Sequence, residues 1–332
     1  MINKDKIKPS DVAAHLAKLP GMTVQDAWQL LDPSDKQNVP KAVTLLQSLL
    51  QLKDLPAPLT PSENQKRKAL IFAAEMMGFF MRPFIEVDMD LANQLQNLAT
   101  YSFLAAAMHI KHGTDCLTNA LYADTQATVK NIIFTVARMK EVDPEKALYI
   151  LLEGTDRLEA LFGDCQTQDH ARNFDIEQLG QKLGVATLIH STMQRNPDLD
   201  TGHHCLSLKN TTGIDHLNPK SWQGTVKVGD VDLKVVWKQG QVEAERLFES
   251  FYGSKISFDN WFSKEGHDLL RPNGNYVGVS YSPNDARSEE ENYEPLHPEF
   301  TNYSNEPSAQ NAEKRLMLKQ TVIHMIMSLV WA

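Results

Sequence analysis

Cysteine is scarce: only Cys116, Cys165 and Cys205 occur in 332 residues, far apart and odd in number. A disulfide framework needs paired cysteines, so these read as reduced thiols of an intracellular protein, nuclear or cytoplasmic. Positive charge is also short. The net charge is -9, so nothing global draws the chain toward nucleic acid, and DNA binding is expected to be weak or absent. Long hydrophobic runs are missing as well. The most apolar one, "ALIFAAEMMGFFM" (69–81), holds Glu75 and falls short of the ~20 residues a membrane span needs. The opening "MINKDKIKPSD" has no apolar centre and is not a secretory signal. No Gly-x-x-x-x-Gly-Lys-Ser/Thr loop occurs, and no Gly-x-Gly-x-x-Gly follows a strand.

What is present is helical pattern. Ser10 can cap "DVAAHLAKL", and Thr23 can cap "VQDAWQLL" before Pro33. A further helix follows with Val39, Val43, Leu46 and Leu50 on one face and Pro40 in its first turn, and Pro56, Pro58 and Pro61 then stiffen a linker. Three longer helices are expected: Ser62 to about Arg82, stopping before Pro83; a second with Leu91, Leu95, Ala99, Phe103, Ala106 and Ile110 at helical spacing; and a third over roughly 115–141. Short connections favour antiparallel packing into a bundle. Its methionine and aromatic stripes read as core.

After 150 the pattern changes. "ALYILLE" fits a short buried strand or a helix end, and 155–163 and 175–194 read as helices. "GTVKVGDVDLKVVW" (224–237) alternates Val226 and Val228 with Lys227, then Val231, Leu233 and Val235 with Asp232 and Lys234. Gly229-Asp230 between them predicts a β-hairpin. Short helices are expected at 239–252 and 257–264. From Ser282 to Ala312, Glu289, Glu290, Glu291, Glu294, Glu299 and Glu306 face the single Arg287, and four prolines break any regular structure.

The expected architecture is mainly α: a helical bundle, then a small α+β region with one β-hairpin and a disordered acidic linker. Its segments are short N-terminal helices and a Pro linker (1–60), the bundle (61–145), the α+β region (146–265), the linker (266–312) and a C-terminal helix (313–332). That last segment ends on "TVIHMIMSLVWA" without a polar cap, which reads as an element cut short.

Three constellations are candidates for chemistry. His203, Cys205 and His216 offer zinc-type ligands close together, but a paired Cys-x-x-Cys or His-x(3–5)-His partner set is missing. His109 and His112 read as a helix C-terminal turn favoured by the helix dipole. Asp156 and Glu159, three apart in "GTDRLEALFGD", share one helix face and can bind a hard cation. Equally, Asp156 and Thr155 can cap the helix while Glu159 faces solvent.

"GTDRLEALFG" resembles the Asp-x-Leu-Glu-x-x-Phe segment near the end of the catalytic region of P-element-type (THAP-related) transposases. The resemblance implies an RNase H-like fold binding two metal ions, with Glu159 as the last metal-binding acid and Asp156, Leu158 and Phe162 as its motif neighbours. It also implies a helical domain associated with GTP inserted ahead of that acid, where the bundle stands here. The chain departs from the family pattern in two places. Asp164, Cys165 and Gln166 stand where an arginine usually follows, and "RNFD" (172–175) lacks the family's proline. A second resemblance covers most of residues 10–260 and is to a family of proteins of mushroom-forming fungi. It rests on "LYADTQATVKNIIFTVAR" (121–138), "GTDRLEALFG" and "NPDLDTGHHCLSLKN" with "DHLNPKSWQGTVKVGDVDL" (196–233).

Residues 1–37 hold no strand-like run to carry the family's earlier aspartates, and two-metal chemistry needs several acids around cations ~3.5–4 Å apart. The resemblance therefore implies the C-terminal portion of a transposase, more a non-enzyme than an enzyme, with no cofactor, or Mg²⁺ if active. Two alternatives stand beside it. One is a helical module binding a protein partner or a nucleotide through the bundle, and the other is a zinc-stabilised domain.

Overall fold

The computed structural model describes residues 7–32, 39–58, 60–153, 161, 164–166, 168, 175–196 and 219–277. These residues are mainly helical, as the periodicity predicts. Pro9–Leu16 (α1) and Val24–Leu31 (α2) form an N-terminal pair. Pro9 occupies the first turn of α1, so Lys8 rather than Ser10 stands at the N-cap. In α2 Thr23 caps as expected, its hydroxyl accepting from the Asp26 N–H at 3.1 Å. Val39–Gln51 (α3) leads into the longer helices Pro61–Ile85 (α4), Leu91–His112 (α5) and Asn119–Val142 (α6).

Proline 83 does not end α4. It stands in the last turn, where its missing donor costs a single backbone bond, and the helix closes when the Glu86 N–H meets the Arg82 carbonyl at 2.9 Å.

Helix α5 is the centre of the molecule. From Leu98 to His109 every residue is buried, so the helix is covered on all sides rather than along one stripe. Phe80 of α4 lies 4.9 Å from Tyr101, ring centroid to centroid. On the α6 side, Tyr101 donates to Thr125 Oγ1 at 3.0 Å, Ser102 pairs with Gln126 Oε1, and Gln126 Nε2 donates back to the Ser102 carbonyl at 2.9 Å. Polar groups this deeply buried are tolerated because each finds a partner.

The remaining side of α5 is closed by a helix where the sequence pattern predicts half of a hairpin. Leu233–Tyr252 is one α-helix (α8), following Ile176–Arg195 (α7) in chain order. The hairpin expectation is corrected, for three reasons. The Asp232 carboxylate accepts from the Lys234 and Val235 N–H groups at 3.0 and 3.1 Å, which starts a helix. Val236, Gly240, Ala244 and Phe248 then bury at a four-residue spacing that continues well past 237. Finally, Gly229 and Asp230 lie in a 3-10 turn whose Gly229 N–H binds the Pro144 carbonyl at 2.8 Å. A Cβ on Gly229 would stand 2.6 Å from that oxygen, so only glycine fits.

The first half of the alternation is realised differently. Residues 223–227, ahead of that turn, run between two other segments. Leu91 donates to the Thr225 carbonyl at 2.8 Å, Leu148 to the Val226 carbonyl at 2.8 Å, and Val228 to the Lys146 carbonyl at 2.9 Å. Val226 and Val228 point into the core, while Lys227 reaches Glu145 at 2.6 Å. "ALYILLE" becomes an isolated antiparallel bridge, Ala147 to Lys227, followed by a 3-10 turn over Ile150–Leu152.

The short helix Phe258–Phe262 (α9) packs Phe258 4.9 Å from Phe103, and residues 266–277, read from sequence as the start of the linker, fold back on the core. Leu269 is buried, its carbonyl accepts from Tyr122 Oη at 2.5 Å, and Trp261 Nε1 donates to the Pro272 carbonyl at 3.0 Å. One hydrophobic cluster thus extends from Val12 to Leu269. Among the described residues no helix is long and apolar enough to cross a membrane.

Candidate functional site

The residues singled out from sequence are not brought together by the described part of the structure. Asp156 and Glu159, the zinc candidates His203, Cys205 and His216, the polar stretch from 282 to 312 and the segment 313–332 lie outside the described residues. Of the motif region, Leu161 and Asp164–Gln166 are described, and all four are helical. Among the described residues no three His, Cys, Asp or Glu side chains are grouped to hold a metal ion.

The densest gathering of titratable groups is at the C-terminal end of α5. The His109 ring stacks on Tyr122 at 4.5 Å, and its Nδ1 is buried without a hydrogen-bond partner. One turn on, a ring nitrogen of His112 lies 2.7 Å from Tyr252 Oη, which is also 3.3 Å from Met108 Sδ. The Lys111 ammonium sits 4.5 Å above the Tyr252 ring, a cation–π contact. Cys116 is buried beside them, 2 % exposed.

Burial decides the chemistry of this cluster. It pushes the Cys116 thiol up to about 12, so the nucleophilic thiolate is absent near neutrality. It raises the phenols of Tyr101, Tyr122 and Tyr252 and lowers both His109 and His112. Desolvation is the largest cause of both histidine shifts. Apart from the Lys111 ammonium at its edge, the cluster is a set of rings and a thiol whose neutral forms burial favours, suited to packing. Sequence reasoning found His109 and His112 from their spacing. It missed Tyr252 because only the return of α8 against α5 brings it near, and it named Cys116, four positions after His112, only as a reduced thiol.

A second feature is a surface. Helix α7, which directly follows the motif region, contributes none of its described side chains to the large core cluster. Its inner side is covered locally: Lys182 Nζ donates to the Cys165 carbonyl at 3.2 Å, Gln168 Nε2 donates to the Lys182 carbonyl at 2.9 Å, and Ala186 is fully buried. Its outer side carries Ile176, Val185 and Leu188, respectively 89 %, 47 % and 67 % exposed. Between them Gly180 and Gly184 lie one turn apart, and an added Cβ at either would meet nothing within 4 Å. These exposed apolar side chains are interspersed around the helix with exposed Glu177, Gln181 and Thr187. No family model matches the chain, and no curated protein or solved structure is significantly similar to it.

Proposed function

We propose that this chain is a helical binding protein derived from the C-terminal portion of a P-element-type transposase, without catalysis of its own. The resemblance at "GTDRLEALFG" and the position of the helical block α4–α6 ahead of it support the derivation. The observation that carries the non-catalytic reading is the character of the chain before the bundle. Residues 9–16 and 24–31 are the helices α1 and α2, whereas the family's earlier metal-binding aspartates stand on strands. Glu159 therefore receives no strand-borne acidic companions from there, and one carboxylate does not neutralise the charge of a two-metal site. The exposed apolar side chains Ile176, Val185 and Leu188 on α7 support binding as the retained role.

The test is direct. The purified full chain is incubated with Mg²⁺ or Mn²⁺ and end-labelled DNA. No cleavage above the metal-only background is expected. Metal-dependent nicking that disappears in Glu159→Gln overturns the non-catalytic reading.

A further inference from the structure

Helix α6 turns only one side to the core. Tyr122, Val129, Ile132 and Val136 are buried on that side. Opposite them Asp124, Ala127, Asn131, Phe134 and Arg138 recur at spacings of three, four, three and four, and all five are exposed. At 3.6 residues per turn that spacing holds them on one narrow stripe. Phe134 on this stripe is 69 % exposed, and Val142, one turn past Arg138, is 79 % exposed. We infer that two copies of the chain meet here, α6 against α6, antiparallel about a twofold axis at Asn131.

A twofold interface sets one patch against itself, so the stripe has to complement its own reverse. Its charges do. Arg138 stands seven positions after Asn131 and Asp124 seven before it, so each copy's arginine meets the other's aspartate. Among the described residues neither side chain has an ionic partner within its own chain. Partial burial raises the Asp124 carboxyl, and no cation offsets it.

Its sizes match as well. Phe134, three positions after Asn131, comes level with Thr128 of the second copy and beside its Ala127, where short side chains leave room for a ring. Val142 comes level with Ala120 of the second copy, again large against small. Interaxial distance is set by the side chains at the contact, so this alternation lets the helices approach closely. Asn131 on the axis carries a donor and an acceptor in one amide, so the two amides exchange hydrogen bonds. A single asparagine in such a seam fixes register and the number of chains. Charge selects the direction. Parallel pairing sets Asp124 on Asp124 and Arg138 on Arg138, and like charges facing each other across an interface repel.

Sedimentation equilibrium on the full chain tests this. Over roughly 1–100 μM, the range in which interfaces of modest area dissociate, the mass is expected to rise from 37.4 kDa toward twice that value. Asp124→Arg and Arg138→Asp, each alone, are expected to weaken the dimer about tenfold or more, since each turns two attractive pairs into repulsive ones. Mixing these two variants is expected to restore a dimer with one chain of each, because the facing charges are again opposite. Phe134→Ser is expected to weaken association without altering any charge. Unchanged amide exchange in α5 reports that each variant is folded, and Val242→Arg, at an exposed position of α8, is the control that still associates. Three results overturn the inference: a monomer at every concentration, association that survives all three single changes, or a mixture of the two charge variants that stays monomeric. None of these bears on DNA nicking, so failure here and failure of the non-catalytic reading are separable.

Discussion

Three histidines respond to burial in the same direction. His15 on α1 and His109 and His112 on α5 are all pushed below the ordinary imidazole value of 6.5, with desolvation the largest cause in each. The folded protein therefore resists protonating them, while the unfolded chain takes up protons as pH falls through 6.5. Stability is fully present above that value and is lost as pH drops from 6.5 toward the lowered native values. Urea midpoints measured between about pH 5 and 7.5 are expected to fall on the acid side. A His109→Leu variant, which removes one of the three groups and the orphaned Nδ1, is expected to flatten that slope. An unchanged slope would show that His109 is not among the groups responsible. His109 and His112 were legible as helix-end histidines, but the burial that lowers them was not, because Tyr122 and Tyr252 pack against them from the next helix and from 140 positions further along.

At the level of elements, Gly240 decides how closely α8 lies on α5. A Cβ placed there would stand 2.5 Å from Ala99 Cβ, 2.9 Å from the Thr100 nitrogen and 3.0 Å from the Gln96 carbonyl. In an exposed helix Gly→Ala stabilises by ~1 kcal/mol, but overpacking of this kind costs ~1–3 kcal/mol and involves backbone that cannot swing aside. Gly240→Ala is therefore expected to destabilise, read as a lower urea midpoint. Adding Ala99→Gly is expected to recover part of the loss only, because the Thr100 and Gln96 backbone contacts persist. A stabilising Gly240→Ala would mean the two helices are not in this close register.

The sequence pattern located α2 through α6 because capping residues and three-to-four spacing act locally. It failed at 224–237 for an equally physical reason. Alternation at Val226, Lys227 and Val228 is real, but their pairing partners are Lys146 and Leu148, far away in the chain. The second half of that window shares its valines between a short alternation and a longer helical stripe, and Asp232 tips it to helix. The candidate site was less legible than the fold. Which side chains of α7 are exposed depends on which side of that helix is covered by Cys165 and Gln168, and spacing alone does not report that.

For the whole molecule, the continuous cluster from Val12 to Leu269 makes the helices around α5 one cooperative unit. Phe103 joins two separate elements, α8 and α9: its ring lies 4.8 Å from Trp237, 4.9 Å from Phe258 and 6.0 Å from Phe262. Phe103→Ala is expected to cost ~3–5 kcal/mol and to raise amide exchange in α4, α5, α6 and α8 together. Loosening confined to α8 and α9, with α4 and α6 unaffected, would divide the core into independent parts.

The order of synthesis gives this closure a further consequence. Helix α5 leaves the ribosome on the order of 120 residues before α8 begins. At bacterial to eukaryotic elongation rates of ~5–20 residues per second, that is a wait of roughly 6–24 s. Throughout it, the side of α5 around Ala99 and Phe103 stands bare and greasy on the nascent chain. A polypeptide stalled or clipped within that interval presents a sticky target for chaperones and proteases, so the cell's quality control meets this protein at its innermost helix.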